Sequence, residues 1–172
     1  MCTGLPPSPP SAILSSMSVA AVRAFLAPYG LEDRIMTFAV SSATVSLAAL
    51  AVGVEEARIV KTLAFRKKDG SVLLVCAAGD AKVDNKRFKA EFGAKAKMLT
   101  GEEALAEVGF AVGGVCPFVK SDHIEIVLDR SLERFDIVYP AAGDSASAVS
   151  LRCEELETVT GARWVTVCTV LP

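Results

Sequence analysis

Arg58-Ile59-Val60-Lys61-Thr62-Leu63-Ala64-Phe65-Arg66, followed after Lys67-Lys68-Asp69-Gly70 by Ser71-Val72-Leu73-Leu74-Val75-Cys76-Ala77-Ala78, reads as a β-hairpin in the middle of the chain. Both arms are rich in branched apolar residues, and Asp69-Gly70 supplies the turn chemistry that joins antiparallel strands. Side chains alternate between faces along a strand, so Lys61 shares a face with Ile59, Leu63 and Phe65. That is the bulkier apolar face, the one expected to look inward. A lysine there either snorkels to an edge or sits in a pocket with an anionic or polar partner.

Working outward from the hairpin, Thr44 opens a small-residue helix, Val45 to Val52, that Gly53 closes. Before it, Ile35 to Val40 reads as a strand, and Ser18 as the N-cap of a short helix beginning at Val19 and stopped near Pro28. After the hairpin come a Gly79-Asp80 turn, an Asp84-capped helix anchored by Phe88 and Phe92, and a short strand from Lys95 to Leu99. Thr100 and Glu103 form a capping box for a helix that ends at Gly109. Ile124–Leu128, Phe135–Tyr139, Ala148–Arg152 and Arg163–Thr169 read as strands, with a helix from Glu154 to Thr160. Hairpins mixed with helical crossovers place the chain in the α+β class, around one mixed sheet.

At 172 residues and 52% hydrophobic content the chain has enough apolar surface for one domain. Residues 1–16 carry four prolines among small residues and are expected to form a poorly ordered tail, which leaves residues 17–172 as the domain. The net charge of −2 argues against a protein coated in basic field, but the charge is unevenly spread. The segment from Arg58 to Lys97 holds 11 of the 18 basic residues and only four acids. Such a block faces an anionic partner or forms a solvated rim. Five widely spaced cysteines without a CxxC pair suggest reduced thiols in the cytoplasm. No apolar run reaches transmembrane length, so no membrane partner is expected.

The stretch Gly113-Gly114-Val115-Cys116-Pro117-Phe118 does something a fold alone does not need. Paired glycines allow close backbone approach, and Pro117 removes one donor, leaving the amides before it to point at a ligand. The same residues also suit an ordinary tight turn. The single histidine, His123, sits in a polar turn, and any Ser–His or Cys–His couple would have to use it. No metal-ligand spacing, Walker loop or dinucleotide fingerprint is present, so neither a metal nor an organic cofactor is expected. What remains is a site of backbone amides, one inward lysine and small polar residues, which suits hydrolysis of an activated ester.

Val54-Glu55-Glu56-Ala57-Arg58-Ile59-Val60-Lys61-Thr62-Leu63, Ala78-Gly79-Asp80, Val83-Asp84, Phe92-Gly93-Ala94 and the Gly113–Phe118 loop together resemble the YbaK/prolyl-tRNA-editing family. The resemblance runs from about Ile35 to Val167. It implies a mixed, partly barrel-like sheet with peripheral helices, and deacylation of mischarged aminoacyl-tRNA. It assigns Lys61 to the aminoacyl ester or the adjoining phosphate, and the amides of Gly113, Gly114, Val115, Cys116 and Pro117's loop to the aminoacyl carbonyl. Thr44, Gly79 and Asp80 match positions that line the pocket. Attack by a positioned water or by the substrate's own groups fits the lack of a triad, and leaves Cys116 a spectator. The expected partners are the acceptor end of charged tRNA and an aminoacyl-tRNA synthetase, with no role for DNA. Lys82, Lys86, Arg87, Lys89, Lys95 and Lys97 are the candidates for RNA phosphate contacts.

One departure concerns the histidine that many members carry before the helix-opening Thr. Here that region is Val40-Ser41-Ser42-Ala43-Thr44, a small and hydroxylic wall. The substrates best known for the family are cysteinyl- and alanyl-tRNA(Pro). Two other readings stand beside editing: a non-catalytic tRNA- or synthetase-binding module of the same fold, and a hydrolase of another small activated acyl ester.

Overall fold

Val72–Ala78 is buried along its whole length, as a strand must be when both sheet faces are covered. The computed structural model describes residues 18–170. The Pro-rich stretch at residues 1–16 lies outside the described residues.

In chain order the helices are α1 (Val19–Leu26), α2 (Val45–Val52), α3 (Asn85–Phe92), α4 (Gly101–Glu107) and α5 (Cys153–Thr160). The strands are β1 (Ile35–Thr37), β2 (Ile59–Arg66), β3 (Val72–Ala78), β4 (Ala81–Val83) and β5 (Ile124–Asp129). They continue with β6 (Ile137–Pro140), β7 (Ser147–Val149), β8 (Leu151–Arg152), β9 (Arg163–Val165) and β10 (Cys168–Val170). Six strands form the main sheet in the order β8-β6-β2-β3-β5-β9, while β1 pairs with β7 and β4 with β10. The sheet is mixed: β2 and β3 are the antiparallel hairpin, whereas β6 joins β2 and β5 joins β3 in parallel. The fold is therefore α+β, with a curled mixed sheet and peripheral helices.

Local chemistry sets the helix ends. Thr44 caps α2 by accepting the Leu47 amide, Asp84 caps α3 by accepting those of Lys86 and Arg87, and Thr100 and Glu103 complete the capping box of α4. Phe88 buries its ring 5.0 Å from Phe65 of β2 and 4.7 Å from Phe92, which fixes α3 on the sheet and turns its lysines outward.

Five expected strands differ in extent. The first stops at Thr37. Residues 95–99 make a single bridge, Met98 to Phe65, instead of a strand. The stretch from Ala148 to Arg152 divides at Ser150: its amide extends the β1–β7 ladder by one rung onto the Arg34 carbonyl at 3.4 Å, while Leu151 and Arg152 pair with β6, so the halves β7 and β8 join different sheets. The last stretch, from Arg163 to Thr169, divides because buried Asp129 takes the Val167 and Cys168 amides on Oδ2 at 2.9 and 3.0 Å. Those two amides are lost to a sheet ladder, and β10 turns away to pair with β4. The strand expected from Phe135 begins two residues later, at Ile137.

Candidate functional site

Parallel pairing of β2 with β6 ends at Val60, and the bridge from the 97–99 segment begins only at Ala64. The sheet edge therefore opens between them. A cavity of about 250 Å³ occupies the gap. That is below the ~300–1,000 Å³ usual for drug-sized ligands and suits a small group. Its wall is built from β2, from Ser42 to Ala48 at the start of α2, from Met98 to Gly101, from Val112 to Val115, and from Tyr139, Ala141 and Ser147.

Among the described residues Lys61 is the only wall residue with a charged side chain. It is half-buried, and its ammonium donates to the carbonyl of Ala81, the first residue of β4 directly after the Gly79-Asp80 turn. Burial holds its pKa below the ordinary lysine value, partly offset by the Cys168 thiol and the Asp80 carboxylate nearby. The inward lysine thus resolves in favour of a polar pocket. Thr44 also lines the cavity. Because its oxygens take the Leu47 and Ala48 amides, the Val45 and Ser46 amides at the helix start are left over. The positive end of the α2 dipole and Lys61 make the small cavity favourable to negative charge.

The glycine loop reaches the cavity through Gly113 and Val115. Gly113 has φ +88°, and a Cβ there would stand 2.9 Å from the Ala43 Cβ, so glycine is what lets this loop close on the α2 entry. The other loop residues have structural work. The Gly114 amide closes a turn on the Ala111 carbonyl at 3.0 Å, and its Cα rests on the Asp144 backbone. Cys116 and Pro117 are buried behind the wall. The Cys116 thiol is fully buried, and desolvation pushes its pKa well up, with the Phe118 and Gly143 amides aimed at the sulfur. A thiol so placed is inert.

Gly79 and Asp80 are not on the cavity wall; they hold the turn that carries the Ala81 carbonyl. A Cβ on Gly79 would fall 2.0 Å from the Glu56 carbonyl oxygen, so the turn is pressed against the chain entering β2. Asp80 is clamped by both Arg134 guanidinium nitrogens at 2.6 and 3.0 Å, which holds its carboxyl below the usual range. The clamp fixes the end of β3, and with it the position of the Lys61 amine.

The basic block separates into two groups. Arg58, Arg66 and Lys67 are paired with Glu55, Glu107 and Glu125. Lys82, Lys86, Arg87, Lys89, Lys95 and Lys97 are exposed, and none of them is in an ion pair among the described residues. Only Arg87 is engaged, donating to the Cys168 carbonyl at 3.0 Å. His123 lies off the cavity on the surface, 3.2 Å from Glu107.

Several wall residues carry no signal in the sequence. Ser147, buried with an unpartnered hydroxyl, and Tyr139 reach the cavity only through the pairing of β7 and β6. Arg134 joins the site through Asp80, 54 positions away. Among the described residues no group of His, Cys, Asp and Glu is arranged to hold a metal, and no helix is long and apolar enough to cross a membrane.

Residues 40–159 match the model of the aminoacyl-tRNA editing domain. The chain is 43% identical over 153 residues to the uncharacterized protein YwhH of Bacillus subtilis (strain 168), covering 88% of this chain and 98% of that one. Two solved structures share the fold. One, the "putative trans-editing enzyme for prolyl tRNA synthetase", has a TM-score of 0.80 at 27% identity, over 96% of this chain and 99% of its own. The other, hypothetical protein APE2540, has a TM-score of 0.78 at 29% identity, over 86% and 99%. With the editing-domain model spanning most of its length, this chain belongs to the aminoacyl-tRNA editing domain family.

Proposed function

We propose that this protein is a trans-acting deacylase that hydrolyses the ester of a small mischarged amino acid on tRNA, of the cysteinyl- or alanyl-tRNA(Pro) type. The observation that carries the reading is the make-up of the cavity. One lysine, a helix N-terminus and a glycine loop bound a space of about 250 Å³, and among the described residues its wall holds no acid, histidine or cysteine. Such a wall stabilises negative charge developing on an acyl oxygen and leaves the attack to water. Water adds to the ester carbonyl, the bond to the ribose oxygen breaks, and amino acid and uncharged tRNA leave. Lys61 serves the ester or the adjoining phosphate, and the free amides of the Gly113–Val115 segment and of the α2 start serve the carbonyl.

The exposed lysines of α3 and of the 95–97 segment supply sequence-independent contacts to the RNA phosphates. Lys97 directly precedes the wall residue Met98, so one end of this basic strip reaches the cavity mouth. A synthetase that delivers the misacylated product is the expected second partner.

The test is a deacylation assay over a panel of charged tRNAs. Turnover of a small mischarged species supports the reading. RNA binding without turnover would make the protein a binding module, and equal turnover of esters lacking RNA would make it a hydrolase of another class.

A further inference from the structure

The main-chain groups of β2 alternate sides with a period of two. Arg66 donates to the Lys97 carbonyl at 2.8 Å and the Ala64 carbonyl accepts from Leu99 at 2.9 Å, so the even-numbered residues aim their N–H and C=O away from β3. Val60 points the same way and is used by β6. Thr62 lies between the two pairings. Its side-chain Oγ1 lies 3.7 Å from the Cys76 sulfur of the paired strand, and Thr62 lines the cavity. Neither its N–H nor its C=O has a hydrogen-bond partner among the described residues. A donor and an acceptor side by side on a strand edge, facing an enclosed space, require a ligand that offers the complement.

We infer that the Thr62 main chain is a binding site for the backbone of one α-amino acyl group. Its C=O accepts from the α-ammonium and its N–H donates to the acyl carbonyl, as two residues exchange bonds in an antiparallel pair. The carbonyl keeps a second lone pair for the glycine loop. The opening spans Thr62 and the Ala64 N–H, because Val60 is paired with β6 on one side and the Ala64 carbonyl is taken by Leu99 on the other. A single amino acid fits it and a peptide strand does not. In this antiparallel pairing the ester oxygen runs toward Val60 and the α-nitrogen toward Ala64, where Met98 and Leu99 already cover the strand edge, so an acyl substituent on the α-nitrogen loses the ammonium bond and meets a wall. The site therefore selects aminoacyl esters with a free α-ammonium over N-acylated, peptidyl-like ones. This rests on the deacylase reading for its substrate but not for its geometry.

The test uses the full chain, ¹⁵N-labelled, with 3′-alanylamino-3′-deoxyadenosine, a non-hydrolysable amide analogue, and its N-acetyl derivative. Alanine is the smallest chiral acyl group and makes the least demand on the side-chain wall. The free-amine analogue should shift the Thr62 amide resonance and slow its hydrogen exchange at least tenfold, and should bind at least tenfold more tightly than the N-acetyl form. Alanyl-tRNA turnover should exceed N-acetylalanyl-tRNA turnover by the same factor or more. Equal affinity for the two analogues, binding that leaves the Thr62 amide unmoved, or no binding of the free-amine analogue overturns the inference. Turnover of charged tRNA without discrimination at the α-nitrogen removes this inference and keeps the deacylase. Analogue binding at Thr62 with no turnover of any charged tRNA does the reverse.

Discussion

Replacing Lys61 by Met separates what this residue does for the reaction from what it does for the fold. The side chain keeps its length and apolar stem but loses the ammonium. For activity, losing a preorganised charge aimed at a developing oxyanion costs on the order of 10²–10³ in rate, about 2.7–4 kcal/mol. For stability two terms oppose each other. The Ala81 carbonyl loses a charged donor, worth about 1.5–3 kcal/mol, while the cost of holding a half-buried ammonium disappears. The balance should lie within about 2 kcal/mol of zero, and at roughly 2–4 °C per kcal/mol for a domain of this size the Tm should move by less than about 8 °C. The sign with pH is fixed by burial. Because the folded pKa lies below the unfolded one, the charged form costs stability at neutral pH and the cost fades as pH rises through the folded pKa. Wild type should therefore gain on Lys61→Met between neutral and alkaline pH. Single-turnover deacylation of the best substrate from the charged-tRNA panel, alongside thermal melts at several pH values, measures both quantities. A rate within threefold of wild type would refute the role given to Lys61.

Gly79→Ala places a methyl 2.0 Å from the Glu56 carbonyl oxygen and 2.7 Å from a Val45 methyl, where ordinary contact begins near 3.4 Å. The backbone must yield, at a cost of about 1–3 kcal/mol or more, and the Tm should fall by at least about 2 °C with activity falling alongside, because the turn leads directly to Lys61's acceptor; an unchanged melt would show the contact to be slack. Lys86→Ala with Lys89→Ala should raise KM, leave kcat in place and lower the salt slope of tRNA binding by about 1–2, and a salt-independent affinity would reduce the strip to a solvated face. Cys116→Ser should keep most of the activity and native Cys116 should resist alkylation, since the thiol is fully buried with a raised pKa; an acyl-enzyme trapped on its sulfur would mean a different mechanism.

The sequence by itself determined the local pieces whose causes are local. The Asp69-Gly70 hairpin, the caps at Thr44, Asp84 and Thr100, and the glycine stops at Gly53, Gly93 and Gly161 depend on residues within a few positions of one another, and each stands where the pattern puts it. Strand alternation was enough to mark Lys61 as a charge on an inward face, and motif resemblance was enough to name the editing family. Only the tertiary structure decided which backbone groups are left open. Whether residues 148–152 stay one strand depends on a change of partner at Ser150, from β1 to β6, and whether residues 163–169 stay one strand depends on a carboxylate 38 positions upstream. The division of the glycine loop follows the same logic. Its spacing offers five residues alike, yet Gly113 and Val115 face the cavity while Gly114 is committed to Ala111 and Cys116 is sealed in the core. Thr62 is the sharpest case, because its chemistry lies in a main chain that every residue shares. It becomes a candidate site only because the two partners of β2 stop on either side of it, and pairing partners are a property of the assembled sheet.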